Sequence, residues 1–475
     1  MGRFVMPSVF DSLKMSAVVW DLRACDRASP RDIASRQKTR LAELLSSAMR
    51  GSRFYRERLC GLPADGLTLG ALPIVRKSEL MARFDDWVCD PQLKLPQLRE
   101  LMTNPSRIGE TYLGKYLIWE SSGTSQESGI FVQDAQSLAV YDALESVRRS
   151  APRPLQRLFD PFLISERIAF VGATTGHFAS IVTMLRLQQI NPLMAQRLRC
   201  FSILQSTSSL IDALNDFVPT IIATYPTAAA LLTEEFSRGT LRFAPKEIWT
   251  GGETLGVVSR KRVEQTLGCE VRNSYGASEF MSMGWECSCG QMHVNTDWAI
   301  LEPVDEKGQA VPAGQPSYTT LLTNLANHVQ PLIRYDLGDQ LTVLPHRCEC
   351  GSPLPLIEVQ GRRDDVLVMA GLHGQRVTLL PLALTTVLED DAGTFEFQLI
   401  QRDAQTLVIR LDQRDPAAAS KLLLCCAALE KYAVTQGLAP IQVVPELGVV
   451  LQRGRSGKAQ RVIAASHLCG PQVCH

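Results

Sequence analysis

The sequence predicts an α/β protein: a large N-terminal body of alternating strands and helices, followed by a smaller, mobile C-terminal α+β lid. Three observations carry this expectation. The chain has 475 residues, long for one hydrophobic core and suited to two or three lobes. Over 116–279, short apolar runs alternate with amphipathic stretches, the pattern of parallel strands joined by crossover helices. At Gln360-Gly361-Arg362-Arg363-Asp364-Asp365 the alternation ends. Beyond it the pattern is of strands over 396–400 and 406–411 and a helix over 416–435, so the body is assigned to 1–360 and the lid to 361–475.

The elements follow in order. Ile33, Leu41, Leu44, Leu45 and Met49 recur at helical spacing, and Ser52-Arg53-Phe54-Tyr55 reads as a cap beside it. Leu72-Pro73-Ile74-Val75 precedes a helix starting near Lys77, and Tyr116-Leu117-Ile118-Trp119 reads as a buried strand. An amphipathic helix is expected over 135–149. Arg167-Ile168-Ala169-Phe170-Val171-Gly172 then reads as a strand feeding a turn at Ala173-Thr174-Thr175-Gly176-His177-Phe178. A helix over 209–217, a strand over 220–225 and a helix over 227–236 after Pro226 continue the alternation. Glu247-Ile248-Trp249-Thr250-Gly251-Gly252-Glu253 and a helix over 259–267 complete it. In such folds ligands gather at the C-terminal ends of the strands, which directs attention to the turns.

Composition narrows the function. Apolar residues make up 45% and charged residues 21%, and Lys+Arg and Asp+Glu both number 49, so neither disorder nor a polyanionic partner is indicated. Small-molecule chemistry fits better than nucleic acid. No apolar run is long enough to span a bilayer, and Met1-Gly2-Arg3-Phe4-Val5-Met6 does not open a signal peptide. Thirteen cysteines without a sign of secretion point to reduced thiols, some of them metal-bound, and to the cytoplasm.

Three turns and one loop carry candidate chemistry. Ser121-Ser122-Gly123-Thr124 follows the strand at Trp119; small residues, hydroxyls and unobstructed N–H groups suit a phosphate cradle. It is not a Walker loop, because no Gly-Lys-Ser/Thr follows. Tyr275-Gly276-Ala277-Ser278-Glu279 places a ring that can stack on a base and a carboxylate that can hold Mg²⁺. Against these stand the ordinary readings of a buried tyrosine and a helix-start glutamate. Asp339 follows a tight turn, where a carboxylate can accept from ribose hydroxyls. Arg453-Gly454-Arg455-Ser456-Gly457-Lys458 is a basic loop whose lysine could enter a site in the other lobe.

Taken together and in this order, these segments resemble the acyl-adenylate-forming (AMP-binding) superfamily, and within it the phenylacetate–coenzyme A ligase branch, from about residue 40 to 465. The resemblance implies that Ser121, Ser122, Gly123 and Thr124 hold phosphates, and that Tyr275 stacks on adenine with Gly252 and Glu253 nearby. It further implies that Gly276 and Ser278 belong to the aromatic-Gly-x-Ser/Thr-Glu motif, that Glu279 helps hold magnesium, and that Asp339 takes the ribose hydroxyls. Arg362 would lie near the nucleotide, Asp364 would be the hinge pivot and Lys458 the catalytic lysine. The acid pocket would occupy Phe170, Gly172, Gly176, His177 and Phe178, the glycines leaving room for a ring, with His177 either contacting substrate or simply packing. The implied reaction is ATP-dependent activation of an aromatic or arylacetic acid, followed by transfer to coenzyme A, or to a carrier-protein thiol or an amine; the third alternative, a non-catalytic nucleotide-binding homologue, has Lys458 and Glu279 against it. The implied cofactors are ATP, Mg²⁺ and coenzyme A, and the partners a small carboxylic acid, an acceptor thiol and a second copy of the chain in a homodimer. Two departures stand out. The phosphate loop continues Thr124-Ser125-Gln126-Glu127-Ser128-Gly129 where the family has Thr-Gly-Lys-Pro, and the lid has Ala370-Gly371-Leu372-His373-Gly374 in place of Gly-x-Asn/x-Val.

Two Cys-x-Cys-Gly knuckles, Cys287-Ser288-Cys289-Gly290 and Cys348-Glu349-Cys350-Gly351, flank this region, with His293 after the first and His346 before the second. Thiolates at short spacing on glycine turns can converge on one tetrahedral Zn²⁺. The expected ligands are Cys287 or Cys289, with His293, Cys348 and Cys350. Four protein ligands leave no open position, so the ion would be structural.

Overall fold

The computed structural model describes residues 9–60, 69–121, 128–149, 160, 165–362, 365–379, 381–411, 418–449, 451 and 460–465. Ser122, Gly123, Thr124, Asp364 and Lys458 lie outside the described residues.

A nine-stranded sheet organises the N-terminal body. Its five parallel strands are Leu198–Ser202, Ile168–Gly172, Ile221–Thr224, Glu247–Gly251 and Glu270–Ala277, in that spatial order. Continuous burial of Ile168–Gly172 and Ile221–Thr224 explains why both read as unbroken apolar runs. Crossover helices Thr207–Phe217, Pro226–Ser237 and Val257–Leu267 cover one face, where Leu210, Leu214, Leu232 and Val263 pack on Ala169, Val171, Ile222 and Ile248.

The sheet then departs from the wholly parallel expectation. Phe280–Glu286, Met292–Val294, Leu356–Arg362 and Asp339–Val343 extend it with antiparallel pairings. The connection after Ala277 is only a short turn, too short for a crossover, so the chain must fold straight back. Glu279 therefore sits in a hairpin turn, not at the start of a helix.

The largest core lies between the N-terminal helices, the hairpin Leu117–Glu120/Ile130–Gln133 and the helix Ala135–Arg148; it includes Trp87, Trp119, Phe131 and Phe280. Helix Pro30–Gly51 matches the expected spacing, and Ser52 serves both ends: it is the C-cap of that helix and the N-cap of Arg53–Leu59. A further helix, Ser12–Cys25, packs against Ala135–Arg148. Arg148 joins these parts: buried, it makes two hydrogen bonds of 2.7 Å to Asp297 and one of 2.8 Å to Asn295, and its Nε lies 3.4 Å from Asp26.

The C-terminal lobe has its own core, from Leu367 to Ala464. Its four-stranded sheet runs Gln442–Leu447, Thr406–Leu411, Gln398–Gln401, Val462–Ile463, with helices Pro381–Asp390 and Ala418–Thr435. Eleven cysteines fall among the described residues, and all are free thiols.

Candidate active site

The turn at Tyr275–Glu279 is fixed by backbone crowding before any ligand is considered. A Cβ on Gly276 would lie 1.9 Å from the Met281 carbonyl oxygen, where the hairpin register shifts, so only glycine lets the two strands approach this closely. The turn is tied to the strand Leu117–Glu120: the Trp119 indole donates to the Ser278 carbonyl at 2.8 Å, and the Ser278 hydroxyl donates to the Glu120 carbonyl at 3.3 Å. The neck of the expected phosphate loop and the aromatic-Gly-x-Ser-Glu motif are therefore tied into one unit.

At the other end of the motif, the Tyr275 hydroxyl donates to Asp339 Oδ2 at 2.7 Å, and Arg362 Nε lies 3.7 Å from Asp339 Oδ1. Arg362 also donates to the Leu337 carbonyl at 3.1 Å. Burial beside the Asp339 carboxylate pushes the Tyr275 phenol well above its usual range, so it stays a donor. Glu279 is held by the Tyr335 hydroxyl, which donates to its Oε1 at 2.8 Å, while Asn324 donates to the Glu279 carbonyl at 2.9 Å. Close packing pushes the Glu279 carboxyl upward and the Tyr335 bond only partly offsets this; a nearby cation would favour its charged form. Tyr335 and Asn324 were missed in the sequence. Tyr335 lies four residues before Asp339, but nothing in its spacing marks a partner 56 residues away.

Ser121 closes the neck of the expected phosphate loop: its N–H donates to the Gly129 carbonyl and its hydroxyl accepts from Gly129 N–H, both at 2.8 Å. Its side chain thus supports the loop's base, and the loop's tip lies in 122–127, outside the described residues. Gly252 turns the chain at the end of Glu247–Gly251 with φ +78°, and Glu253 accepts from Thr227 N–H at 3.1 Å, at the start of helix Pro226–Ser237.

The expected acid pocket adjoins this neck, because Glu120 N–H donates to the His177 carbonyl at 2.8 Å. The room left by its glycines is taken by the chain's own rings. A Cβ on Gly172 would lie 2.5 Å from the Phe170 ring, and one on Gly176 2.9 Å from that of Phe178. His177 is buried, with Nε2 3.3 Å from the Asn104 carbonyl, and burial lowers its pKa. The packing role, of the two weighed for His177, is the one this geometry supports.

Cys287, His293, Cys348 and Cys350 bring their four ligand atoms within 4.8 Å of one another. Cys287 and Cys348 sulfurs are 3.6 Å apart, and Cys350 Sγ lies 3.3 Å from His293 Nε2. Thiolates sharing a tetrahedral zinc are about 3.8 Å apart, so the donor set fits. His293 Nδ1 faces the Leu354 carbonyl at 2.9 Å, and a carbonyl only accepts, so the proton sits on Nδ1 and Nε2 keeps its lone pair for an ion. Cys289 is exposed, and neither it nor His346 joins the cluster.

No family model matches the chain. It is 28% identical over 214 residues to phenylacetate–coenzyme A ligase of Thermus thermophilus, covering 42% of this chain and 46% of the relative. To the ligase of the same name from Pseudomonas putida it is 29% identical over 197 residues, 38% of this chain and 43% of the relative. Each match spans less than half the length of the curated relative. Among solved structures, a 2-hydroxyisobutyryl-CoA ligase in the postadenylation state, in complex with R3-HIB-AMP, superposes with a TM-score of 0.66 at 19% identity, covering 93% of this chain and 91% of that one. The fold is that of the adenylate-forming ligases. Within an adenylate-forming fold, the unit built from Trp119, Ser278, Glu279, Asp339 and Arg362 sits where the sheet turns from parallel to antiparallel, bordering the strand that leads into the C-terminal lobe. No helix among the described residues is long and apolar enough to cross a membrane.

Proposed function

We propose that the protein is an AMP-forming acid–thiol ligase: it activates an aromatic or arylacetic carboxylic acid with ATP and passes the acyl group to coenzyme A. The observation that carries this is that one hairpin turn presents Tyr275 and Glu279 beside Asp339 and Arg362, which stand far from it in sequence, with Tyr275 bonded to Asp339 and Asp339 paired with Arg362. Support also comes from relatives bearing the name phenylacetate–coenzyme A ligase.

The chemical problem is attack of a carboxylate on the α-phosphorus of ATP, two anions brought together at a crowded transition state. Lys458 and Arg362 supply positive charge. Asp339 accepts from the ribose, and the Tyr275 ring, anchored at its hydroxyl, presents a face to adenine. Glu279 is the carboxylate suited to hold Mg²⁺, which when bound screens phosphate charge. Loss of pyrophosphate leaves the acyl-adenylate, and the thiol then displaces AMP. We assign residues 1–360 to the body that binds substrates and 361–475 to a lid that turns about Asp364 between the two half-reactions. The Cys287, His293, Cys348 and Cys350 set is assigned to a structural zinc.

Pyrophosphate release with a panel of aryl acids, with and without coenzyme A, tests the reading in wild type and Lys458→Ala. Acid-dependent release that falls at least about 100-fold in the variant is expected. No release with any acid in the panel would count against the reading. Product that needs a carrier protein or an amine would redirect the second step.

A further inference from the structure

Glu389 is a buried acid that the proposed chemistry does not use. It lies in helix Pro381–Asp390 of the C-terminal lobe with its side chain 1% exposed. Its Oε1 is 2.7 Å from Arg461 Nη1, and the Arg461 guanidinium lies 4.3 Å from the centre of the Phe397 ring. Neither carboxylate oxygen makes a hydrogen bond among the described residues, nor do Nε and Nη2 of Arg461. A buried ion pair satisfied this sparingly is costly, and a helix terminus close by would offset part of the cost.

That terminus belongs to the body. A Cβ on Gly256 would lie 2.4 Å from Glu389 Oε2. Gly256 is the N-cap of helix Val257–Leu267, with no side-chain capping bond, and its φ of −70° is open to any residue. Glycine here leaves room for the Glu389 carboxylate, which any side chain at 256 would displace, and serves no need of backbone conformation. The lid's carboxylate thus lies against the N-cap residue of a body helix, near its positive end, without accepting a hydrogen bond from that helix's N–H groups.

Arg461 extends this contact toward the chemistry. It follows Lys458 by three residues, its carbonyl accepts from Leu399 N–H at 2.7 Å, and the next strand, Val462–Ile463, pairs in parallel with Gln398–Gln401. We propose that Glu389 and Arg461 are positioning residues that dock the C-terminal lobe on the N-terminus of helix Val257–Leu267, setting the Lys458 segment for acid activation. The inference rests on the adenylation reading above. Because Gly256 belongs to the body, rotation of the lobe about Asp364 withdraws Glu389 from it, so the contact serves one half-reaction and not the other.

The test uses the full chain as wild type, Gly256→Ala and Glu389→Gln. Gly256→Ala inserts one methyl group at the lobe junction and leaves the proposed site residues and the lobe's core untouched. Two readouts are taken: amide exchange over 256–260 and 381–390, and the separate half-reactions, pyrophosphate release and thioester formation from synthetic acyl-adenylate with coenzyme A. Expected in both variants are faster exchange in both segments and a fall in pyrophosphate release of about tenfold or more, with thioester formation within about twofold of wild type. Unchanged exchange in both variants overturns the proposal, and so does an equal fall in the two half-reactions. If the wild type forms no adenylate, the functional reading fails, and exchange alone decides whether the docking contact exists.

Discussion

Tyr335 reaches Glu279 with a 2.8 Å hydrogen bond and so fixes the carboxylate to which the proposed activation step assigns magnesium. Tyr335→Phe removes that donor and nothing else. Acid-dependent pyrophosphate release is expected to fall about tenfold, while the free energy of urea unfolding drops by only about 1 kcal/mol. Arg148 should behave in the opposite way. Its side chain is 1% exposed and that of its partner Asp297 is 0% exposed, so Arg148→Met leaves an uncompensated buried carboxylate. A loss of about 3–5 kcal/mol in urea unfolding is expected, with no specific effect on either half-reaction at temperatures where the variant stays folded. Glu279 was legible from its motif, but its holder was not, since the fold alone brings position 335 to position 279. Gly276 was legible for a reason other than the physical one: the motif names it, and its packing against the Met281 carbonyl demands it.

At the scale of elements, the parallel half of the sheet could be read because strands buried on both faces leave unbroken apolar runs, as in Ile221–Thr224. The antiparallel half could not. Arg272, Asn273 and Ser274 interrupt Glu270–Ala277, and the three residues Met292–Val294 are too few to show a period. Helix Ser12–Cys25 also escaped, because its exposed Leu13 and Trp20 blur the amphipathic pattern. The cysteine knuckles were legible as a pair, and the fold decided between Cys287 and Cys289. Metal analysis of the purified chain is expected to find one zinc per molecule, and Cys348→Ser to abolish it and lower Tm. Cys289→Ser should retain the metal. A metal-free wild-type protein would remove the zinc assignment while leaving the adenylation reading standing.

Among the described residues, His177 is buried and His328 half-buried, and each has its pKa lowered because burial disfavours the imidazolium. Their unfolded value is 6.5, so on acidification the unfolded chain binds protons first. The stability they confer is complete above that value and is lost as pH falls toward their folded values. Tm followed from about pH 8 to 5 should decline below roughly 6.5, with a shallower decline in His177→Gln. The body and the C-terminal lobe meet through the strand Leu356–Arg362, which ends two residues before Asp364. Its first residue pairs with His293, and His293 also grips the Leu354 carbonyl just ahead of it. In mechanical language, this strand is a cantilever clamped at its base: a lobe that turned at the free end would load the clamp, while the sheet beyond it would keep its shape. On the proposed reading, the thiol and imidazole cluster thus stands at the foundation of the joint about which the lobe turns, far along the chain from Lys458.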